Sequence, residues 1–339
     1  MVNATIALEQ INETTFQDLK KLVLEQARHH STQYAGDDKK FIEALKRKDP
    51  VAQILMLRDD DTNEALGYIL FNHYYGLKGQ ELYMEDLLVS DTLRSQGFGL
   101  AMMEELKAVA RELGVNDISW TVAENNPAAI RFYEKKTQAS QLDYSVYDCS
   151  DLYKKPLTPS ADYEVRQADE NDLALLESYI GRIPALSKEK MENIRAAASA
   201  GNAAVYIALD KDGTPKAVGI TNANYSSFRA VYGYKFEMME LGVKDKNDTA
   251  TAFSALTAHV VEAGKNTGYD GHLNISIDKK SPGQMNFMKG LGFLPIRMTY
   301  DPSSVFLLYG LGRDIIYAPK SQNVINSSQQ KKAPKTPEQ

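Results

Sequence analysis

Hydrophobic and polar positions along this chain change period several times, and each change marks an element. Leu82-Tyr83-Met84-Glu85-Asp86-Leu87-Leu88-Val89 has the apolar content of a strand. Leu100 to Leu113 has the three-and-four spacing of an amphipathic helix. Asp117-Ile118-Ser119-Trp120-Thr121-Val122 alternates as a half-buried strand does. Asn125-Asn126-Pro127 then opens a short helix that continues through Phe132-Tyr133. Along the first strand, alternation sends Glu85 and Asp86 to opposite faces.

The pattern occurs twice. Lys154-Lys155-Pro156-Leu157-Thr158-Pro159-Ser160 reads as a linker, with two prolines among polar residues. Beyond it, Tyr163 to Leu173 echoes the strand and helix between Ile6 and Leu19. Phe236-Glu237-Met238-Met239-Glu240-Leu241-Gly242-Val243 lines up with Leu82 to Val89, giving a repeat of about 154 residues. We expect two α/β domains, 1–153 and 161–318, joined by 154–160. The tail 319–339 is too polar to pack and is expected to be disordered.

The 339 residues are 43% hydrophobic and 25% charged, which suits two globular domains. No apolar run approaches a membrane span, and the start lacks the basic and apolar regions of a secretory signal. One cysteine, Cys149, excludes an internal disulfide and a cysteine metal cluster, and fits a reducing cytoplasm. A net charge of −6 argues against nucleic acid as the partner and weakly suits a cationic substrate.

The chemistry sits between the first strand and its helix. In Arg94-Ser95-Gln96-Gly97-Phe98-Gly99, two close glycines let backbone N–H groups approach a phosphate, and Arg94 adds a positive charge. A dinucleotide fingerprint would need glycine where Met102 stands, and no Gly-Lys-Ser/Thr of a nucleotide P-loop occurs. The stretch therefore reads as a pyrophosphate cradle.

The order strand, R-x-Q-G-x-G, helix, strand, N-P-x-A-x-x-F-Y resembles the GNAT superfamily of acetyl-CoA-dependent N-acetyltransferases. That resemblance implies two tandem domains, each a twisted, mostly antiparallel sheet flanked by helices. It implies that Ser95, Gln96, Gly97, Phe98, Gly99 and Leu100, with Arg94, hold the coenzyme pyrophosphate. The backbone of Leu87, Leu88 and Val89 would pair with the pantetheine arm, and Asn126 and Ala129 would adjoin the coenzyme. Asn126 equally suits a helix N-cap. Tyr133 corresponds to the family's general acid. No metal is implied.

Residues 66–136 most resemble the diamine (spermidine/spermine) N-acetyltransferase branch. There an acid at the position of Glu85 contacts the substrate amine, as base or counter-charge. Asp86 and Trp120 are candidates to line the acceptor site, although Asp86 also reads as a solvated edge charge. Two departures stand out. Arg28-His29-His30 replaces a first-helix acid, and Thr137 replaces the usual glycine after the Tyr133 helix. His29, His30 and His73 read as structural or solvated.

In the second copy, Asp248-Thr249-Ala250-Thr251-Ala252-Phe253 replaces the cradle, and Met288 replaces Tyr133. A carboxylate there repels pyrophosphate, so this copy is expected to keep the fold without acetyl transfer. The expected function is acetyl transfer to a small amine such as a diamine or lysine analogue. The chain would act as a monomeric pseudo-dimer or a homodimer. Alternatives are a protein lysine or N-terminal acetyltransferase, which could include an effector sent into a host cell, and an acetyl-CoA-binding or partner-binding module without turnover.

Overall fold

A computed structural model describes residues 2–29, 34, 36–46, 50–149, 161–226, 231–241, 246–266, 272–278, 289, 294–295 and 306–318. The expected linker, the tail, His30 and Met288 lie outside them, as do the side chains of Cys149 and Asp248.

The first repeat runs β1 (Ala4–Glu9), α1 (Glu13–His29), α2 (Asp38–Lys46), β2 (Gln53–Asp59), β3 (Ala65–Gly76), β4 (Gly79–Val89), α3 (Phe98–Glu112), β5 (Asp117–Ala123), α4 (Pro127–Phe132), β6 (Ser140–Gln141) and β7 (Tyr144–Cys149). The second runs β8 (Glu164–Gln167), α5 (Glu170–Ser178), α6 (Lys188–Ser199), β9 (Ala203–Leu209), β10 (Pro215–Ser226), β11 (Val231–Glu240), α7 (Lys246–Asn266), β12 (His272–Asp278), β13 (Leu294–Pro295), β14 (Phe306–Leu311) and α8 (Arg313–Ile316). The period changes in the sequence thus correspond to real elements, in the expected order. Among the described residues no helix is long and apolar enough to cross a membrane.

The strands form two seven-stranded sheets, β1-β2-β3-β4-β5-β14-β6 and β13-β7-β12-β11-β10-β9-β8. Pairing is antiparallel except between β4 and β5 and between β11 and β12. A linear division of the chain would keep β7 with the first repeat and β14 with the second. Instead the two strands are exchanged. β14 pairs with β5 from Phe306↔Ala123 to Leu311↔Ile118, and β7 pairs with β12 in the other sheet.

The exchange merges the cores. Tyr309, Leu311 and Ile316 pack with Met102, Leu106, Trp120 and Tyr133 against α3. Ala223 and Tyr225 of β10 join the cluster under α1 and α2, where Tyr225 stacks on Phe41 at 5.1 Å. Leu77 in turn packs among Leu173, Ile194 and Val218. Polar contacts also cross over. The Asn222 side chain accepts from the Tyr75 N–H at 2.7 Å and donates to the Tyr75 carbonyl at 2.9 Å. Such double pairing satisfies both backbone groups away from any sheet partner.

Candidate active site

A β-bulge creates the site. Along β3, Leu70 faces Asp86 but Phe71 faces Met84, so Glu85 is the extra residue on β4. An extra residue inverts the facing of everything after it. Leu82 and Met84 before the bulge pack on the α3 core, as do Leu87 and Val89 after it. Glu85 and Asp86 therefore share the face opposite α3, which corrects the expectation from simple alternation. The bulge also bends β4 away from β5. Their ladder runs from Glu81↔Asp117 to Met84↔Trp120 and stops there. Leu87, Leu88 and Val89 keep β3 on one edge, and their other edge opens into a notch beside β5.

The cradle lies at the mouth of this notch. Ser95 and Gly97 both have left-handed backbones, with φ of 63° and 93°. Two such residues in three positions curl the N–H groups of the loop toward one side. Gly97 caps α3, whose first turn contains no acid to oppose an anion. A Cβ on Gly99 would meet only the Phe132 ring, at 3.4 Å, so packing within the protein does not require glycine there. These features fit a pyrophosphate. Arg94 is exposed and engaged nearby, paired with Asp91 at 2.9 Å and bonded to His29 Nε2 at 2.7 Å and the Val89 carbonyl at 3.2 Å. Glu25, His29 and Asp91 place ligand atoms within 4.8 Å of one another. The Arg94 guanidinium against two of them disfavours a metal cation there.

Tyr133 closes the notch from the side of α4. It is buried, 4.8 Å from Trp120, 5.2 Å from Phe132 and 6.5 Å from Tyr309 of the exchanged strand, centroid to centroid. Burial, and then the charge of Asp86, push its hydroxyl well above the usual phenol range, so it stays protonated at neutral pH. The helix widens into a π-turn over Tyr133–Thr137, and the left-handed residue that ends it is Gln138 (φ 62°), one position beyond Thr137. Tyr309 also donates to Glu134 at 3.0 Å, tying the π-turn to the second repeat's strand.

Asn126 caps α4 by accepting from the Ala129 N–H at 3.1 Å, so the capping reading holds. Trp120, a candidate acceptor contact, is 1% exposed and packs on Tyr133 in the core. Its indole N–H has no hydrogen-bond partner among the described residues. Asp86 is 8% exposed, which removes the solvated-edge reading. Glu85 accepts from Asn72 Nδ2 at 2.8 Å, and the same amide reaches the Tyr74 hydroxyl at 3.2 Å and Asn224 Oδ1 of β10 at 3.4 Å.

Four residues beside the site were not apparent from sequence: Asn72, Tyr74, Lys235 and Tyr309. Two of them come from the other repeat. Their only signal was a polar or aromatic residue inside an apolar strand. His73, read as structural, bonds Gln80 at 2.8 Å and stacks on Tyr75. In the second copy the β10–β11 ladder runs without a register shift, and residues 248–253 lie inside α7 instead of forming a loop.

A bulged central strand, a left-handed cradle at a helix N-terminus and a buried tyrosine thus come together in the first repeat. Residues 16–137 match the family model "Acetyltransferase (GNAT) family". Among solved structures, a tandem GNAT protein from the clavulanic acid biosynthesis pathway has a TM-score of 0.56 at 13% identity. It covers 94% of this chain and 100% of its own. A GCN5-related N-acetyltransferase from Sphaerobacter thermophilus has a TM-score of 0.52 at 11% identity, covering 91% and 96%. At these identities the likeness is one of fold, two tandem GNAT domains. Two characterised relatives match over shorter stretches. L-ornithine N5-acetyltransferase NATA1 of Arabidopsis thaliana is 35% identical over 80 residues, 22% of this chain and 35% of that protein. Thialysine N-epsilon-acetyltransferase of Caenorhabditis elegans is 33% identical over 72 residues, 21% of this chain and 45% of that protein. The chain thus spans less than half the length of each.

Proposed function

We propose that this protein is an acetyl-CoA-dependent N-acetyltransferase with one working site, built from residues 16–137 and completed by β14, and that its acceptor is a small lysine-like amine or diamine. The bulge at Glu85 carries this reading. It opens the β4 edge for a pantetheine arm and places two carboxylates on the opposite face of the same strand. The similarity to ornithine and thialysine acetyltransferases supports the acceptor class.

Ser95 to Leu100 would hold the pyrophosphate, and the Leu87–Val89 backbone the pantetheine arm; bound there, the coenzyme supplies the acetyl group. A β4 N–H aimed into the notch would stabilise charge on the reacting carbonyl. Glu85, held by Asn72, orients the acceptor amine and takes up its positive charge. Tyr133 donates a hydrogen bond, and then its proton, toward the departing sulfur. The unbulged, helical counterpart in the second repeat favours a supporting role for that half, which would stand where a separate subunit stands in a dimer.

Thiol release from acetyl-CoA, measured with ornithine, lysine, cadaverine, putrescine and spermidine, tests the proposal. Release with at least one of them is expected. No release with any overturns it.

A further inference from the structure

A side chain of β11, in the second repeat, reaches the face of β4 that bears Glu85. Lys235 reaches from there to an ion pair with Glu81. Its ammonium lies 4.7 Å from the Tyr74 ring centre and 5.7 Å from that of Tyr83. Those two rings stack on each other at 5.7 Å. Two aromatic faces and a carboxylate around one ammonium make a cation site. The site connects to Glu85, because the Asn72 amide that holds Glu85 also holds the Tyr74 hydroxyl.

The surrounding charges are mostly negative. Glu81, Glu85 and Asp86 come from β4 and Glu237 from β11, where Glu237 accepts from the Leu77 N–H at 2.9 Å. Against these carboxylates, Lys235 is the cation that the described contacts place on the rings. A cleft with this balance attracts positively charged molecules, and one of its positive charges is already covalently present.

We infer that Lys235 stands in for one positive charge of the acceptor, so that the site selects amines of net charge +1 over diamines and polyamines. The inference rests on the acetyltransferase reading above. An amine such as lysine or ornithine brings one net charge, carried toward Glu85. A diamine brings a second ammonium into a cage that Lys235 fills. The two side chains keep 22% and 24% of their surface exposed, while the Lys235 ammonium end lies buried against the two rings.

Lysine and cadaverine have the same reactive amine and differ only in the carboxylate, so the ratio of their kcat/KM values reads this selection directly. The wild-type protein is expected to favour lysine. Lys235→Met should raise the cadaverine-to-lysine ratio by about tenfold or more, as the loss of one nearby charge implies, whereas Lys235→Arg should leave it as in wild type. If Lys235→Met fails to fold, Glu81→Gln serves instead: it keeps the cation, removes an anion and should lower the ratio. A wild-type preference for cadaverine, or a ratio unmoved in the variants that fold, overturns the inference. Absence of turnover with every amine would overturn the acetyltransferase reading instead, and the same assay tells the two apart.

Discussion

Glu81 of β4 and Lys235 of β11 pair with each other across the interface between the two repeats. The two halves of a symmetric dimer carry identical residues, whereas a tandem chain is free to place opposite charges in its two halves.

Burial lowers the Lys235 ammonium to about 8, opposed by the charge of Glu237. The folded value is below the unfolded one, so between about 8 and the ordinary lysine value near 10.4 the unfolded chain binds more protons. This group's contribution to stability therefore rises with pH through that window. The melting temperature of wild type, relative to Lys235→Met, should increase from about pH 8 to about pH 10.4. A difference that is flat with pH would contradict the assigned burial effect.

Tyr133→Phe removes the hydroxyl and keeps the ring against Trp120 and Tyr309. Turnover should fall about a hundredfold or more, with coenzyme affinity little changed. Because Tyr133 is held protonated well beyond neutral pH, no alkaline loss of kcat below about pH 10 should depend on it. Turnover of the phenylalanine variant at the wild-type rate would exclude Tyr133 as the acid.

The two cradle glycines should fail differently. Gly97 has φ 93°, where a Cβ costs about 1–2 kcal/mol, so Gly97→Ala should distort the loop and weaken coenzyme A binding by about tenfold. Gly99→Ala meets no tight contact in the protein and should melt as wild type does, yet it should also bind the coenzyme more weakly. Calorimetric titration with coenzyme A checks both. Equal affinity in all three proteins would remove the cradle assignment.

Residues 1–153 expressed alone lack β14. That strand buries Leu308, Tyr309 and Leu311. Each large apolar side chain contributes about 1.5–3 kcal/mol, and the total is comparable with a whole domain's margin of about 5–15 kcal/mol. The fragment should show no cooperative thermal transition. In the full chain, Tyr309→Ala should cost about 3–5 kcal/mol, as removal of a large buried aromatic does. Turnover should drop as well, because Tyr309 braces Tyr133. A fragment that melts cooperatively would mean that the exchange is dispensable.

The elements were legible because period and punctuation mark them locally. Pro127 and Asn126 fix the start of α4, and the spacing of Met102, Leu106 and Ala110 fixes the buried stripe of α3. Pairing between distant strands was not legible. Tyr144–Cys149 and Phe306–Leu311 are both short apolar strands, and nothing in their own pattern says which sheet each completes. The bulge was hidden for a related reason: alternation assumes regular pairing, and only the register against β3 shows that Glu85 is extra. The cradle glycines were visible from sequence, whereas the left-handed Ser95 was not, since serine seldom takes that conformation. Lys235 and Asn224 lay far along the chain from the residues they meet, in a copy whose own cradle had already been set aside.

The exchanged strands also bear on how such a chain can change over generations. When a gene duplicates, one copy is ordinarily free to erode and be shed. Here, shedding either copy would leave the survivor's sheet missing an inner strand, so both must be inherited together. Surface loops of the second copy can drift, while Tyr309, Leu311 and Ile316 remain answerable to a site in the other half.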